Sequence, residues 1–320
     1  MRIKMFNTVL ALVLAVGVAS ASMAADWPAR PIRIVVPYPA GGGADIVARL
    51  VGAQLSTAMK QTVIIENHVG AGGSIGADLV AKAPPDGYTV LFDSMSGAIN
   101  PVIATVPYDP VRDLLPVAQL VSQAFIVVAN PKLPVKNLRD VVRLAAERPN
   151  GLNAAVPGPA TRLAAELFKL NTGAKITFIP YKGGAPATLS VMTGETDIGF
   201  IDVPSVAQNL IAGKLNGLAV TTAKRASLIP DVPTSAEAGL PEYKVDSWLG
   251  VFVPANTPAD IVNRLNKEIN AALAAPHVAD RIAKLGAEPS KSTAAEFGRL
   301  FRSDIERWKD VVVRAHVKIE

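Results

Sequence analysis

Residues Val35–Arg49 read VVPYPAGGGADIVAR. A β-branched apolar run ends at Pro37, three glycines follow, and helical spacing resumes near Ala44 or Asp45. Glycine surrenders more backbone freedom on folding than any other residue, so three in succession mark a place where bare backbone is required. A strand, a glycine turn and a helix start aim several free N–H groups at one spot above a sheet. The helix N-terminus adds partial positive charge there, which suits an anion.

The arrangement recurs. AVPGPATRLAAELF puts Gly158, Ala160 and Thr161 between a strand and a helix, with Thr161 as N-cap or ligand hydroxyl. FIPYKGGAPATL puts Gly183 and Gly184 after a strand, with Pro186 in a helix's first turn. LFDSMSGAINP supplies Ser94 and Ser96, and GFIDVPS ends a strand on Asp202 before a Pro-started helix. Open α/β sheets bind ligands outside the carboxyl ends of their strands, so these loops together describe a cleft. Asp202 has three readings there: it takes a substrate ammonium, orients a water, or caps the helix that follows. Asp45 and Arg49, four apart, predict an exposed or half-exposed ion pair.

Around these loops, short β-rich runs alternate with helical patterns from Asp26 onward, the mark of an α/β fold with mostly parallel strands. Strands are expected at 32–37, 62–66, 89–93, 117–129, 151–156, 176–180, 198–202, 215–221 and 248–253. Helices are expected at 45–59, 74–82, 138–147, 161–170, 185–192 and 204–212, and three more close the chain at 258–274, 277–284 and 294–309. The long run PVAQLVSQAFIVVAN (116–130) and the later KLNGLAVTTAKR (214–225) read as crossings between two lobes. The first lobe then comprises 25–122 and 222–320, and the second 123–221.

With 50% hydrophobic and 18% charged residues among 320, disorder is excluded for most of the length. The start, MRIKMFNTVLALVLAVGVASASMAADWP, has Arg2 and Lys4 before an apolar run from Thr8 to Ala19, too short to span a bilayer. Ser22 and Ala24 fit a cleavage site, so residues 1–24 read as a secretory signal peptide and the mature protein as periplasmic. Removing Arg2 and Lys4 lowers the formal charge from +5 to +3, too mild for a nucleic-acid partner. There is no cysteine, which excludes disulfides, thiolate chemistry and a lipidated cysteine anchor.

The catalytic inventory is thin. His68, His277 and His316 are the only histidines and none has metal-ligand spacing, so neither a metal nor a cofactor is expected. In ENHVGAGGSIG, Gly70 and Gly72 are followed by Ile75 with Gly76 one place late, which breaks the dinucleotide spacing. No phosphate-loop run occurs, and no nucleophile elbow surrounds Ser94 or Ser96.

The blocks WPARPIRIVVPYPAGGGADIVARL, IIENHVGAGGSIGADLVAKAPPDGYTVLF, ELF, PYKGGAPATL, LAVTTAKRASLIPDVPTSAEAGLPEY and WLGVFVPANTP together resemble the substrate-binding receptors of tripartite tricarboxylate transporters, the Bug-type solute receptors. The resemblance covers essentially the whole mature chain. It implies a two-lobed periplasmic binding protein of type II topology, with two crossing strands, closing on a small carboxylate. The family's ligand carboxylate is held by backbone N–H groups and hydroxyls at strand-to-helix turns, with waters bridging to the first lobe.

Carried over, the first-lobe contacts are Tyr38, Ala40, Gly41, Gly42, Asp45, Ser94 and Ser96. Those of the second lobe are Gly158, Thr161, Lys182, Gly183, Gly184 and Asp202. Arg162 stands where relatives often carry His, and Pro159 where they often carry Ser or Thr. Arg162 then either supplies a bidentate carboxylate contact or points into solvent. The implied ligand is a di- or tricarboxylate, an aromatic carboxylate or an acidic amino acid, the implied partner a membrane permease with a large and a small integral subunit, and a monomer is expected. The competing readings are a periplasmic lyase or hydrolase using Asp202 with Lys182, and the effector domain of a transcription regulator. The signal peptide and the missing helix-turn-helix count against the latter.

Overall fold

The computed structural model describes residues 27–317. The expected signal peptide, with Arg2, Lys4 and the cleavage site near Ala24, lies outside them. Strands β1 (Ile32–Val36), β2 (Val63–Asn67) and β3 (Thr89–Ser94) are parallel, with β1 between the other two. Strand β1 alternates little because both its faces are covered, and four of its five residues are buried. Helices α1 (Gly43–Met59) and α2 (Ser74–Ala81) make the crossovers between these strands, and α3 (Ser96–Ile103) follows β3.

Strand β4 (Leu114–Ala129) is 16 residues long, about 54 Å of extended chain, and passes from one lobe to the other. Its first part pairs antiparallel with β9 (Asp246–Pro254), its last part with β7 (Ile198–Asp202) and β8 (Asn216–Val220). The register slips between Pro116 and Ala118, where the imide nitrogen has no hydrogen to give the ladder. In the second lobe β5 (Leu152–Val156) lies between β6 (Ile176–Pro180) and β7, all parallel. The full order is β2-β1-β3-β9-β4-β7-β5-β6, with β8 and the short β10 (Glu288–Pro289) also on β4.

The second-lobe helices are α4 (Leu138–Glu147), α5 (Pro159–Thr172), α6 (Gly184–Thr193) and α7 (Val203–Ile211). The chain closes with α8 (Ala259–Ala274), α9 (Pro276–Lys284) and α10 (Ala294–Arg314). This is the expected α/β two-lobed arrangement, with one correction to its boundaries. The run at 215–221 is not the return crossing, because β8 ends in the second-lobe sheet. From there the chain stays with that lobe: Thr234 bridges Val220, and Ala226 and Ile229 join the second-lobe core. The crossing back is made by β9, whose Ala124↔Asp246 to Leu114↔Pro254 pairing follows β4 into the first lobe.

Helix α10, about 32 Å long, ties the lobes together on one face. A Thr293–Glu296 capping box starts it, with Thr293 Oγ1 accepting from the Glu296 N–H. Its Phe297 and Phe301 pack with Trp248 and Phe252 of β9, ring centroids 4.9–6.2 Å apart. Gly250 allows this approach, since a Cβ there would stand 2.0 Å from Phe297 Cζ. Trp248 Nε1 donates to the buried Asp304 Oδ2 at 2.7 Å, and Arg307 donates to Oδ1 at 2.6 Å. One apolar core thus continues from Val35 and Leu91 of the first lobe, through α10, to Phe168 and Phe200 of the second.

Candidate functional site

Between the lobes lies a cavity of about 510 Å³, lined from the first lobe by Tyr38, Gly42, Gly43 and Ser94, and from the second by Asp202 and Pro204. Gln123 of β4 and Leu249 of β9 close its back. A second cavity of about 440 Å³ lies between Ile103 and Ala104 at the end of α3 and Gly158, Pro159, Arg162 and Tyr181 of the second lobe. Strand-to-helix turns from both sheets line these cavities: the starts of α1 and α3 the first, the start of α5 and the turn before α6 the second. The residues before them are Gly42, Met95, Gly158 and Gly183; no side chain caps the starts of α1 and α6, while Ser94 Oγ takes the Ser96 N–H at the start of α3. Amide hydrogens left free at a helix start favour a negative group.

On the first-lobe wall, Asp45 is buried and fully engaged. Its Oδ2 accepts from Gly41 N–H and Arg49 Nε, both at 2.9 Å, and its Oδ1 from Asn67 Nδ2 at 2.9 Å. Asn67 Nδ2 also donates to the Tyr38 carbonyl at 3.0 Å. The Arg49 guanidinium beside it holds the Asp45 carboxyl down at about 2, well below the usual range. The expected Asp45–Arg49 pair is present with only its Arg49 end exposed. In this geometry Asp45 braces the glycine turn that the resemblance places at the ligand. Ala40, Gly41 and Gly42 are exposed, and Gly41 needs its bare Cα for φ +80°.

Deeper in this wall, Tyr38 Oη lies 2.5 Å from Asp93 Oδ1 and 2.7 Å from Ser94 Oγ. Asp93 is 3% exposed, and burial pushes its carboxyl up to about 6. Burial and the neighbouring Asp93 also raise the Tyr38 phenol well above its ordinary value. Ser96 N–H donates to Ser94 Oγ at 3.1 Å.

On the second-lobe wall, Gly158 N–H donates to Thr161 Oγ1 at 3.1 Å, and the Thr161 hydroxyl donates back to the Gly158 carbonyl at 2.9 Å. Thr161 is buried and closes the turn from below. Gly183 is exposed at φ +102°, and a Cβ on either Gly158 or Gly183 would meet nothing within 4 Å. Gly184 differs: a Cβ there would stand 2.0 Å from Ser205 Oγ and 3.1 Å from Asp202 Oδ1, so its bareness lets α6 pack on α7. Lys182 is exposed.

Of the three readings of Asp202, the structure contains the cap: its Oδ2 accepts from Ser205 N–H at 3.2 Å and Ser205 Oγ at 2.7 Å. Arg162 lines the second cavity with its guanidinium paired along its own helix. Its Nε and Nη2 donate to Glu166 Oε1 at 3.0 and 2.6 Å, and its guanidinium lies 4.5 Å over the Phe178 ring. Sequence reasoning missed Gln123, whose only signal was a polar residue inside an apolar strand. Among the described residues no group of three His, Asp or Glu could hold a metal ion, and no helix is long and apolar enough to cross a membrane.

A two-lobed α/β fold with a cleft ringed by helix starts defines the class of the periplasmic solute-binding proteins, and E. coli SsuA, an aliphatic sulphonate binding protein, shares that fold alone at 13% identity and a TM-score of 0.56 over 91% of this chain and 89% of its own. Residues 47–316 match the Tripartite tricarboxylate transporter family receptor, TctC, and the chain belongs to that family. Among curated relatives, protein BugT of Bordetella pertussis is 35% identical over 311 residues, 95% of each chain. Among solved structures, R. palustris Rpa4515 with adipate is 36% identical at a TM-score of 0.75, over 91% of this chain and 98% of its own. MatC of Rhodopseudomonas palustris with bound malate is 31% identical at a TM-score of 0.72, over 89% of this chain and all of its own. These family members and structural neighbours are solute-binding receptors.

Proposed function

We infer that the protein is a periplasmic receptor that captures a small carboxylate in the interlobe cleft and delivers it to the integral permease of a tripartite tricarboxylate-type transporter. The observation that carries this reading is the second-lobe wall, where Gly158 and Pro159 at the start of α5 and Pro180 and Tyr181 before α6 line the groove, with the exposed Gly183 just beyond them. A carboxylate replaces water on the amides of those helix starts, with Lys182 as the nearby cation and Tyr38, Gly42 and Ser94 opposite. Contacts from both walls then favour the closed arrangement by differential affinity, and the permease reads that form. The adipate and malate of the two related structures support a linear dicarboxylate as ligand. Asp202 is held as the cap of α7 by Ser205, and no hydrogen bond or ion pair joins it to Lys182 among the described residues, so the enzymatic reading lacks an assembled acid–base pair.

The test is a thermal-shift and calorimetric panel on residues 25–320 with adipate, malate, benzoate and glutamate. A selective carboxylate should raise Tm by several degrees and bind one to one, and come back unchanged after incubation. Failure of every carboxylate to bind would contradict the reading, and conversion of one would favour the enzyme.

A further inference from the structure

The hydroxyl groups of the first-lobe wall form a chain with one end buried. Tyr38 Oη has a single hydrogen and two acceptors within reach, Asp93 Oδ1 at 2.5 Å and Ser94 Oγ at 2.7 Å. While Asp93 is ionised it can only accept, so Tyr38 donates to it and Ser94 Oγ must donate to Tyr38. The two lone pairs of Tyr38 are then taken by Ser94 Oγ and, at 3.3 Å, by Ser94 N–H. Ser94 Oγ also accepts from Ser96 N–H at 3.1 Å, and keeps only a lone pair for the cleft. The Tyr38–Ser94 pair therefore offers a carboxylate no hydroxyl hydrogen while Asp93 is ionised.

A proton on Asp93 Oδ1 reverses every link. Asp93 donates to Tyr38, Tyr38 to Ser94 Oγ, and Ser94 turns its hydrogen into the cavity it lines. Each hydroxyl keeps its own hydrogen and only rotates; the single added proton comes from solvent. We propose that carboxylate capture by this receptor is coupled to protonation of Asp93, with Tyr38 as the relay and Ser94 as the group that changes from acceptor to donor. This rests on the carboxylate reading of the cleft.

The surroundings support such a coupling. Asp93 Oδ2 lies against Gly97 in the first turn of α3, where a Cβ would stand 2.4 Å away. Its titratable neighbours are Tyr38 after β1 and Tyr108 before β4, and Tyr108 also feels Asp78 of α2, which pairs with Lys82 at 2.7 Å. Across the Tyr38 backbone, Asp45 is neutralised by Arg49. No cation thus offsets Asp93 directly, and burial leaves it titrating at about 6 in the free protein. A carboxylate arriving in the cavity adds a like charge and raises it further.

The experiment is calorimetry of adipate, with malate as second probe, from pH 5.5 to 8 in buffers of different ionisation enthalpy, on the wild type, Tyr38→Phe and Asp93→Asn. Wild type should take up a substantial fraction of one proton per ligand at pH 6.5. Its affinity should fall as pH rises above 6, by at most about tenfold per unit. With folding checked by melting curves, Asp93→Asn should bind without proton uptake and with a flat pH profile, and Tyr38→Phe, which keeps the carboxyl but cuts its link to Ser94, with clearly less uptake and a shallower profile than wild type; a merely structural role would weaken them equally at every pH. Binding with no proton uptake and a pH-independent Kd in wild type would overturn the relay and leave the receptor reading intact. No binding of either probe at any pH would overturn both.

Discussion

On the first-lobe wall of the cleft the polar groups are spoken for: Asp45 holds Gly41, Arg49 and Asn67, and Asp93 holds Tyr38 and Ser94. On the second-lobe wall Gly158 N–H is turned to Thr161 Oγ1 and Gly183 N–H to the Tyr181 carbonyl at 3.0 Å, so what this wall offers the groove is the first-turn amides of α5 and α6. One wall is preorganised by buried carboxylates, which take up its hydroxyl hydrogens; the other is preorganised by chain geometry around the starts of α5 and α6. A carboxylate, which only accepts, should take most of its binding energy from the second wall, while the first tunes it.

The largest effect should follow from disturbing the donor wall. Gly158→Val has room at an extended φ of −176°, so its folding cost at a cap position should be about 1 kcal/mol or less. The side chain would stand over the amides and reduce carboxylate affinity roughly 30-fold or more, as loss of hydrogen bonds to a charged group implies. Calorimetry beside a melting curve checks both halves. Gly184→Val is a poorer probe, because its collision with Ser205 mixes folding and binding.

Next come the two first-lobe carboxylates, whose pH signatures run in opposite directions. Asp93 has a raised pKa, so the stability it contributes is present at low pH and lost as pH rises through about 6. Ligand-free wild type should lose about 2–3 kcal/mol from this group between pH 4 and 8, and Asp93→Asn should flatten that slope in urea melts. Asp45 has a depressed pKa, so its contribution is present above the unfolded value and lost as pH falls from about 4 towards 2. Asp45→Ala should cost about 1–2 kcal/mol at pH 7 by freeing Gly41 and Asn67, and remove stability lost by wild type below pH 4. Identical pH slopes for the two variants would break the comparison.

The smallest effect is expected at Arg162. Removing it leaves Glu166 without its partner and Phe178 without the stacked guanidinium, a cost of about 1 kcal/mol. Arg162→Ala should change the affinities for adipate and a monocarboxylate alike. A selective loss for the dicarboxylate would show that Arg162 leaves Glu166 to meet the ligand.

Much of the architecture was legible because each crossover carries its own period and punctuation. Residues 138–147 form the helix that the spacing indicates, and every glycine turn sits between a strand and a helix. Helix α3 is missing from the expected helices because Gly97 and Pro101 are both poor helix formers; the structure accounts for Gly97 by the approach of Asp93 Oδ2. The return crossing was misplaced because β8 and β9 are both apolar strands, and only pairing with one end of β4 or the other distinguishes them. The Tyr38–Asp93–Ser94 chain joins residues 55 and 56 apart, a closeness made by the β1–β3 pairing and invisible to local pattern. Thr161 and Asp202 were recognised as cap candidates from their positions, but which partner each hydroxyl or carboxylate keeps is decided by packing.

The division of labour between the two walls is tested most directly by a crystal structure of residues 25–320 with adipate. One carboxylate is expected within hydrogen-bond distance of first-turn N–H groups of α5 or α6, Ala160 or Gly184 among them, facing Ser94 across a closed groove. A carboxylate held by side-chain cations alone, or seated outside the groove, would contradict it.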